Sequence, residues 1–155
     1  VSGLKDIFEQ RIVFNRVLGL RIGEVTGEAV SGTIEMRDDL IGHYGHHRLH
    51  GGVINAGLDA MGGLAVMAAI GARHMDEPPL QRLHRFGKLG TIDLRIDYLR
   101  PAIGERFLLH AEVLRLGSRG IHAHELQRRR WQDAGHRRRG LHRVVGLMVH
   151  HCAFT

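Results

Sequence analysis

The chain has a single cysteine, Cys152, near the end of its 155 residues, so an intramolecular disulfide framework is excluded and a reducing, cytoplasmic setting is expected. Its first residues, Val1-Ser2-Gly3-Leu4-Lys5-Asp6-Ile7, lack the basic-then-apolar pattern of a secretory leader. No internal repeat or low-complexity segment is present. Missing too are a P-loop, a Rossmann glycine pattern and a serine-centred nucleophile elbow, so chemistry built on those motifs has no support. The net charge of +6 is not spread evenly. Residues 1–120 hold 15 Lys and Arg against 14 Asp and Glu, whereas residues 121–155 hold 7 Arg against Glu125 and Asp133. A uniform basic face of the nucleic-acid-binding kind is thereby excluded.

With 43% hydrophobic and 25% charged residues, the composition is that of one globular domain over residues 1–155. A chain of this length buries roughly two-thirds of its unfolded surface without metal or disulfide support. Apolar side chains at three- and four-residue steps predict a short amphipathic helix over residues 4–18, ended by Gly19. Partial alternation over residues 20–26 and 28–36, around Gly27, reads as a hairpin. A Gly- and His-rich loop occupies residues 40–50. Residues 53–70 are apolar nearly all round, with Asn55 and Asp59 as the strong polar side chains, and predict a buried helix. A membrane span is disfavoured by the bare length, by Asp59 and by three glycines. Gly57, Gly62 and Gly63 each cost about 1 kcal/mol of helix propensity, so a close approach by another backbone is expected there, as from a sheet wrapped around the helix.

Residues 73–90, with Pro78-Pro79, read as a surface connection. Residues 91–99 alternate Ile92, Leu94, Ile96 and Tyr98 against Asp93, Arg95 and Asp97, the pattern of a half-buried strand. Residues 105–116 and 121–126 predict two more strands. Residues 127–143, with two Arg triplets and Trp131, break the alternation and read as a solvated basic segment, leaving residues 144–149 as a last buried strand. Strands segregated from helices point to an α+β class with an antiparallel sheet covering the long helix.

The sharpest constellation is His50-Gly51-Gly52 before that helix, with Asp59 nine residues after His50. Two glycines at a helix start expose free N–H groups where the helix dipole favours developing negative charge, which outlines an oxyanion hole. They also leave room for a ligand, which makes Gly52 a candidate binding position. An ionised Asp59 two turns into an apolar helix is costly unless hydrogen-bonded, paired or wet, and buried acids of this kind are often functional. The histidines of residues 43–50 are metal-ligand types, but Gly45 and Gly51-Gly52 argue against a helix that would face His46 and His50 to one ion. Neither a metal nor a cofactor is expected.

The stretch Leu49-His50-Gly51-Gly52-Val53-Ile54, then Leu58-Asp59, then Gly62-Gly63-Leu64-Ala65 resembles the hotdog-fold acyl-CoA thioesterases of the PaaI type. The resemblance extends over about residues 6–126, through Phe14-Asn15-Arg16-Val17-Leu18-Gly19-Leu20, Leu40-Ile41-Gly42 and Ile96-Asp97-Tyr98-Leu99-Arg100-Pro101. It implies a sheet wrapped around the helix, and a homodimer or homotetramer whose subunits share active sites. It implies further that Asp59 activates water or attacks the thioester carbonyl, that the Gly51 N–H polarises the carbonyl oxygen, and that His50 orients substrate or loop. Thr91 is implied to supply a hydroxyl from the partner subunit. The family's loop usually reads Ile-Gly-Asn, where this chain has Ile41-Gly42-His43, so His43 is the candidate to donate in place of the amide. Arg100 and Arg119, at strand ends, are candidates for the phosphates of an acyl-CoA substrate. The rival reading is a non-catalytic acyl-CoA or polyanion-binding module, supported by the basic tail.

Overall fold

The computed structural model describes residues 2–87, 89–116, 119–129 and 141–153, the last two segments through their backbone. The amphipathic N-terminal stretch is not one helix. It is α1 (Ser2–Asp6), a π turn (Ile7–Arg11) and α2 (Val13–Leu18), broken at Ile12, which is extended at φ −79° and ψ 98°. The wider π turn lets Phe8 and Asn15 both face inward, and the buried Asn15 amide donates to the Phe8 carbonyl at 3.1 Å. Gly19, at φ +69°, ends α2 in the left-handed conformation that glycine adopts without strain.

The expected hairpin follows as β1 (Arg21–Val25) and β2 (Ala29–Glu35). The Gly- and His-rich loop is more ordered than the sequence implied, containing a two-stranded ribbon of β3 (Ile41–His43) and β4 (Arg48–Leu49). The long helix, α3, runs over Gly51–Arg73 and so begins at the glycine pair itself. Residues 73–90 are not a bare connection, because α4 (Pro79–Phe86) forms there with proline at its first position, where the missing N–H has no helical partner to lose.

The remaining strands are β5 (Leu89–Tyr98), β6 (Arg106–Arg115), β7 (Arg119–Arg129) and β8 (Leu141–Ala153). They join the hairpin in one antiparallel sheet of order β1-β2-β6-β7-β8-β5. The last strand is longer than residues 144–149: it pairs with β7 from Arg119↔Cys152 to Arg129↔Leu141, drawing Arg128 and Arg129 into the sheet. Residues 130–140, with Trp131 and the second Arg triplet, lie outside the described residues.

The sheet's inner face presents Val30, Ile34, Phe107, Leu109 and Ala111 to Leu58, Met61 and Leu64 of α3, all essentially buried. Each large aliphatic side chain so buried contributes about 1.5–3 kcal/mol. Gly57 admits this contact, since a Cβ there would lie 2.8 Å from Leu109 Cδ2 and 3.0 Å from Ile34 Cδ1. The approach that requires Gly57 is therefore by sheet side chains, not by a second backbone. Among the described residues, α3 is the helix long and apolar enough to cross a membrane, and it is the core helix that the sheet covers. The architecture is the expected α+β one.

Candidate active site

Three residues at four-residue steps, Gly51, Asn55 and Asp59, share one face of α3. That face looks toward β5, which lies at the sheet's edge. At one end Thr91 Oγ1 donates to Asp59 Oδ1 at 2.6 Å. At the other, Tyr98 Oη donates to the Gly51 carbonyl at 3.1 Å and has Asn55 Oδ1 at 3.4 Å.

A register shift makes both contacts possible. The β5–β8 ladder pairs Thr91 with His151 but Asp93 with His150, leaving Ile92 as the extra residue of a bulge. Below the bulge Leu94, Ile96 and Tyr98 face α3; above it the alternation has slipped by one, and Thr91 takes the inward position. Ile92 was expected on the buried side of the strand, yet it is 51% exposed. Thr91 was expected to reach the site from a partner subunit, whereas its hydroxyl meets the carboxylate of its own chain. Asp59 itself is half-buried, so its charge is accommodated by the Thr91 hydroxyl and by partial contact with water instead of deep burial.

The helix start is built around its glycines. His50 is the N-cap, with φ −66° and ψ 136°, and its Nδ1 accepts the Gly52 N–H at 2.8 Å. This fixes the imidazole as an acceptor at Nδ1, with its proton on Nε2. A Cβ on Gly52 would lie 2.9 Å from that Nδ1, and one on Gly51 would lie 3.2 Å from Tyr98 Oη. Both glycines thus make room for neighbouring side chains of this chain. The Gly52 N–H is committed to His50, while among the described residues no acceptor takes the Gly51 N–H. Of the two glycine N–H groups, Gly51's is the one left to a ligand by the hydrogen bonds of the described residues.

The β3–β4 ribbon supports this corner from the side. The His50 N–H donates to the Leu40 carbonyl at 2.8 Å, and a Cβ on Gly42 would lie 2.6 Å from His50 Cα. Here a glycine does admit a second backbone. His43, next to Gly42, is exposed and stacks against Tyr44 and His46 at ring distances of 5.8 and 4.8 Å. It is near His50 through the ribbon, without a hydrogen bond to Asp59 or His50. Arg100 is exposed just beyond β5. Arg119 opens β7, its backbone opposite Cys152.

The structure brings together His50, Gly51, Asp59 and Thr91, which the sequence singles out as candidates, with Tyr98 and Asn55, to which it assigns no role in the site. The signal for Asn55 was the four-residue spacing of Gly51, Asn55 and Asp59, whereas Tyr98 has none in the sequence. Two hollows of about 310 and 450 Å³ lie elsewhere, one among Arg21, Ser31, Thr33 and His110, the other among Arg37, Asp38, His47 and Glu105. Neither is lined by Asp59, Thr91 or Gly51.

Residues 46–124, which contain the helix start, Asp59 and Thr91, match the model of the thioesterase superfamily. Over 114 residues, 74% of each chain, the sequence is 34% identical to the medium/long-chain acyl-CoA thioesterase YigI of Escherichia coli K12. A crystal structure of a Shewanella oneidensis protein related to the thioesterase superfamily superposes with a TM-score of 0.85 at 30% identity, covering 99% of this chain and 94% of that one. Zebrafish thioesterase superfamily member 2 shares the fold at a TM-score of 0.71 and 19% identity, covering 99% of this chain and 97% of its own. With its antiparallel sheet wrapped around α3 in the hotdog manner, the chain belongs to the thioesterase superfamily.

Proposed function

We propose that this chain hydrolyses acyl-CoA thioesters at the face of α3 that carries Gly51 and Asp59. The observation that carries the reading is the 2.6 Å bond from Thr91 to Asp59 Oδ1 on the same helix face as the uncommitted Gly51 N–H. Thr91 fixes the orientation of the carboxylate. Asp59 then takes a proton from water as the water adds to the thioester carbonyl, or adds to it directly. The negative charge that develops on the carbonyl oxygen is received by the Gly51 N–H, reinforced by the positive end of α3. Collapse of the adduct breaks the C–S bond and expels the CoA thiolate. On the water route this leaves the acid, with the proton held by Asp59 passing to the thiolate. On the direct route it leaves the acyl group on Asp59 as a mixed anhydride, which a water molecule then hydrolyses to the acid and the free carboxylate. A positioned base contributes about 10²–10⁴ in rate and an oxyanion donor about 10²–10³.

His50 supports the donor by capping the helix, Gly52 supports it by seating the His50 ring, and His43 is assigned a supporting role beside them. Arg100 and Arg119 are the proposed contacts for CoA phosphates. Likeness to the Escherichia coli enzyme favours medium and long acyl chains. We assign a homodimer, or a homotetramer built from it, formed through the open edge of β5. Ile92, Tyr98 and Leu99 there are more than half exposed, and an unpaired edge strand of this kind invites pairing.

Release of free thiol from a panel of short, medium, long and aryl acyl-CoAs tests the reading. Saturable turnover, fastest with the medium and long chains, is the expected result. A folded protein that binds acyl-CoA without releasing thiol would overturn it in favour of a binding module.

A further inference from the structure

We infer that Tyr98 is a positioning residue for the oxyanion donor: its hydroxyl and the His50 ring clamp the Gly51–Gly52 peptide from its two ends. The plane of that peptide carries the Gly51 carbonyl on one side and the Gly52 N–H on the other. Tyr98 Oη donates to the carbonyl at 3.1 Å, and His50 Nδ1 accepts the N–H at 2.8 Å.

The clamp answers a specific weakness. Two consecutive glycines are the least restricted start a helix can have, because neither has a Cβ to limit φ and ψ. A first turn built from them frays unless held from outside, and a donor on a fraying turn costs reorganisation energy in every transition state. His50 restrains the N–H edge of the peptide, and within α3 the carbonyl edge is held by the helical bond from the Asn55 N–H. Tyr98 adds a restraint on that carbonyl edge from a different element, which ties the first turn to the sheet. Tyr98 is suited to this because β5 brings it in with its ring on the α3 side, while Thr91, on the same strand, holds Asp59. One strand thus sets both the carboxylate and the donor, which fixes their relative placement. The absent side chain of Gly51 is part of the arrangement, since a Cβ would press on Tyr98 Oη at 3.2 Å.

This inference rests on the hydrolytic reading for its consequence, but the clamp itself is testable without turnover. Tyr98→Phe keeps the ring and removes the hydroxyl. In that variant the ¹³C resonance of the Gly51 carbonyl should move upfield and the Gly52 amide should exchange faster, while the melting temperature stays near that of the parent. With an acyl-CoA that the parent hydrolyses, kcat should fall about threefold to tenfold, the equivalent of one hydrogen bond, with KM changed less than about twofold. Combined with His50→Ala, the loss should be smaller than the product of the two single losses, because both hold one peptide. An unmoved Gly51 carbonyl resonance would overturn the clamp whether or not the parent is active. A shifted resonance with wild-type kcat would overturn its role in positioning the donor. A parent without turnover would instead refute the hydrolytic reading, with the resonance still deciding the clamp.

Discussion

Thr91 and Asp59 are joined by a short bond between a neutral donor and a carboxylate, and such charge-assisted bonds are the stronger kind. Removing the donor while keeping the shape isolates its contribution. Thr91→Val should lower kcat about tenfold, in line with a charged hydrogen bond worth ~1.5 kcal/mol, whereas Thr91→Ser should retain most of the activity. Steady-state thiol release on the three proteins checks this, and equal rates for Val and Thr would contradict it. The residues to which the proposal assigns the chemistry stood out in the sequence because each breaks a local rule: glycines at a helix start, and an acid inside an apolar helix. Tyr98 breaks none. It sits at an apolar position of an alternating strand, and its hydroxyl acquires a partner only when β5 is laid across the start of α3. His43 shows the opposite case, a residue chosen for its place in a motif, whose ring stacks on Tyr44 and His46.

At the level of elements, α4 is held by the pair Glu77–Arg85, with Arg85 Nη2 and Nε donating to the two carboxylate oxygens at 2.6 and 2.9 Å, and by His74 at 3.1 Å from Glu77 Oε1. The Arg85 hydrogen bonds, opposed by partial desolvation, hold the Glu77 carboxyl below the usual carboxylate range. A depressed folded value means that the pair's stabilisation is present above the unfolded carboxylate value of about 4.3 and is lost as pH falls through the folded one. Amide protection in α4 should therefore drop on acidification in the parent, and be low at neutral pH already in Glu77→Gln. Hydrogen exchange reports this directly, and unchanged protection in the variant would contradict it. This helix was hidden in the sequence by Pro78-Pro79, which signals a turn as readily as a helix start, and by its length of eight residues. The strand alternation was legible over Leu94, Ile96 and Tyr98 but misled at Ile92, because a bulge depends on the partner strand's register and leaves no mark in its own sequence. Of the basic tail, Arg128 and Arg129 enter β7 all the same, since their ladder bonds to β8 come from the backbone and are indifferent to the side chain.

For the molecule as a whole, the sheet ends at β5, the strand that also carries Thr91 and Tyr98. If two copies pair there, a charge on that edge should both separate them and impair the site. Ile92→Lys is expected to shift sedimentation from a dimer or tetramer to a monomer and to lower thiol release, and a monomeric parent would contradict the proposed assembly. The central claim, that Asp59 performs the hydrolysis, has a more direct test in Asp59→Asn, which keeps the size and the Thr91 contact while removing the base and nucleophile. The expected result is a loss of at least about 10²-fold in kcat at unchanged melting temperature, with acyl-CoA binding retained. Turnover within a few-fold of the parent would contradict the account.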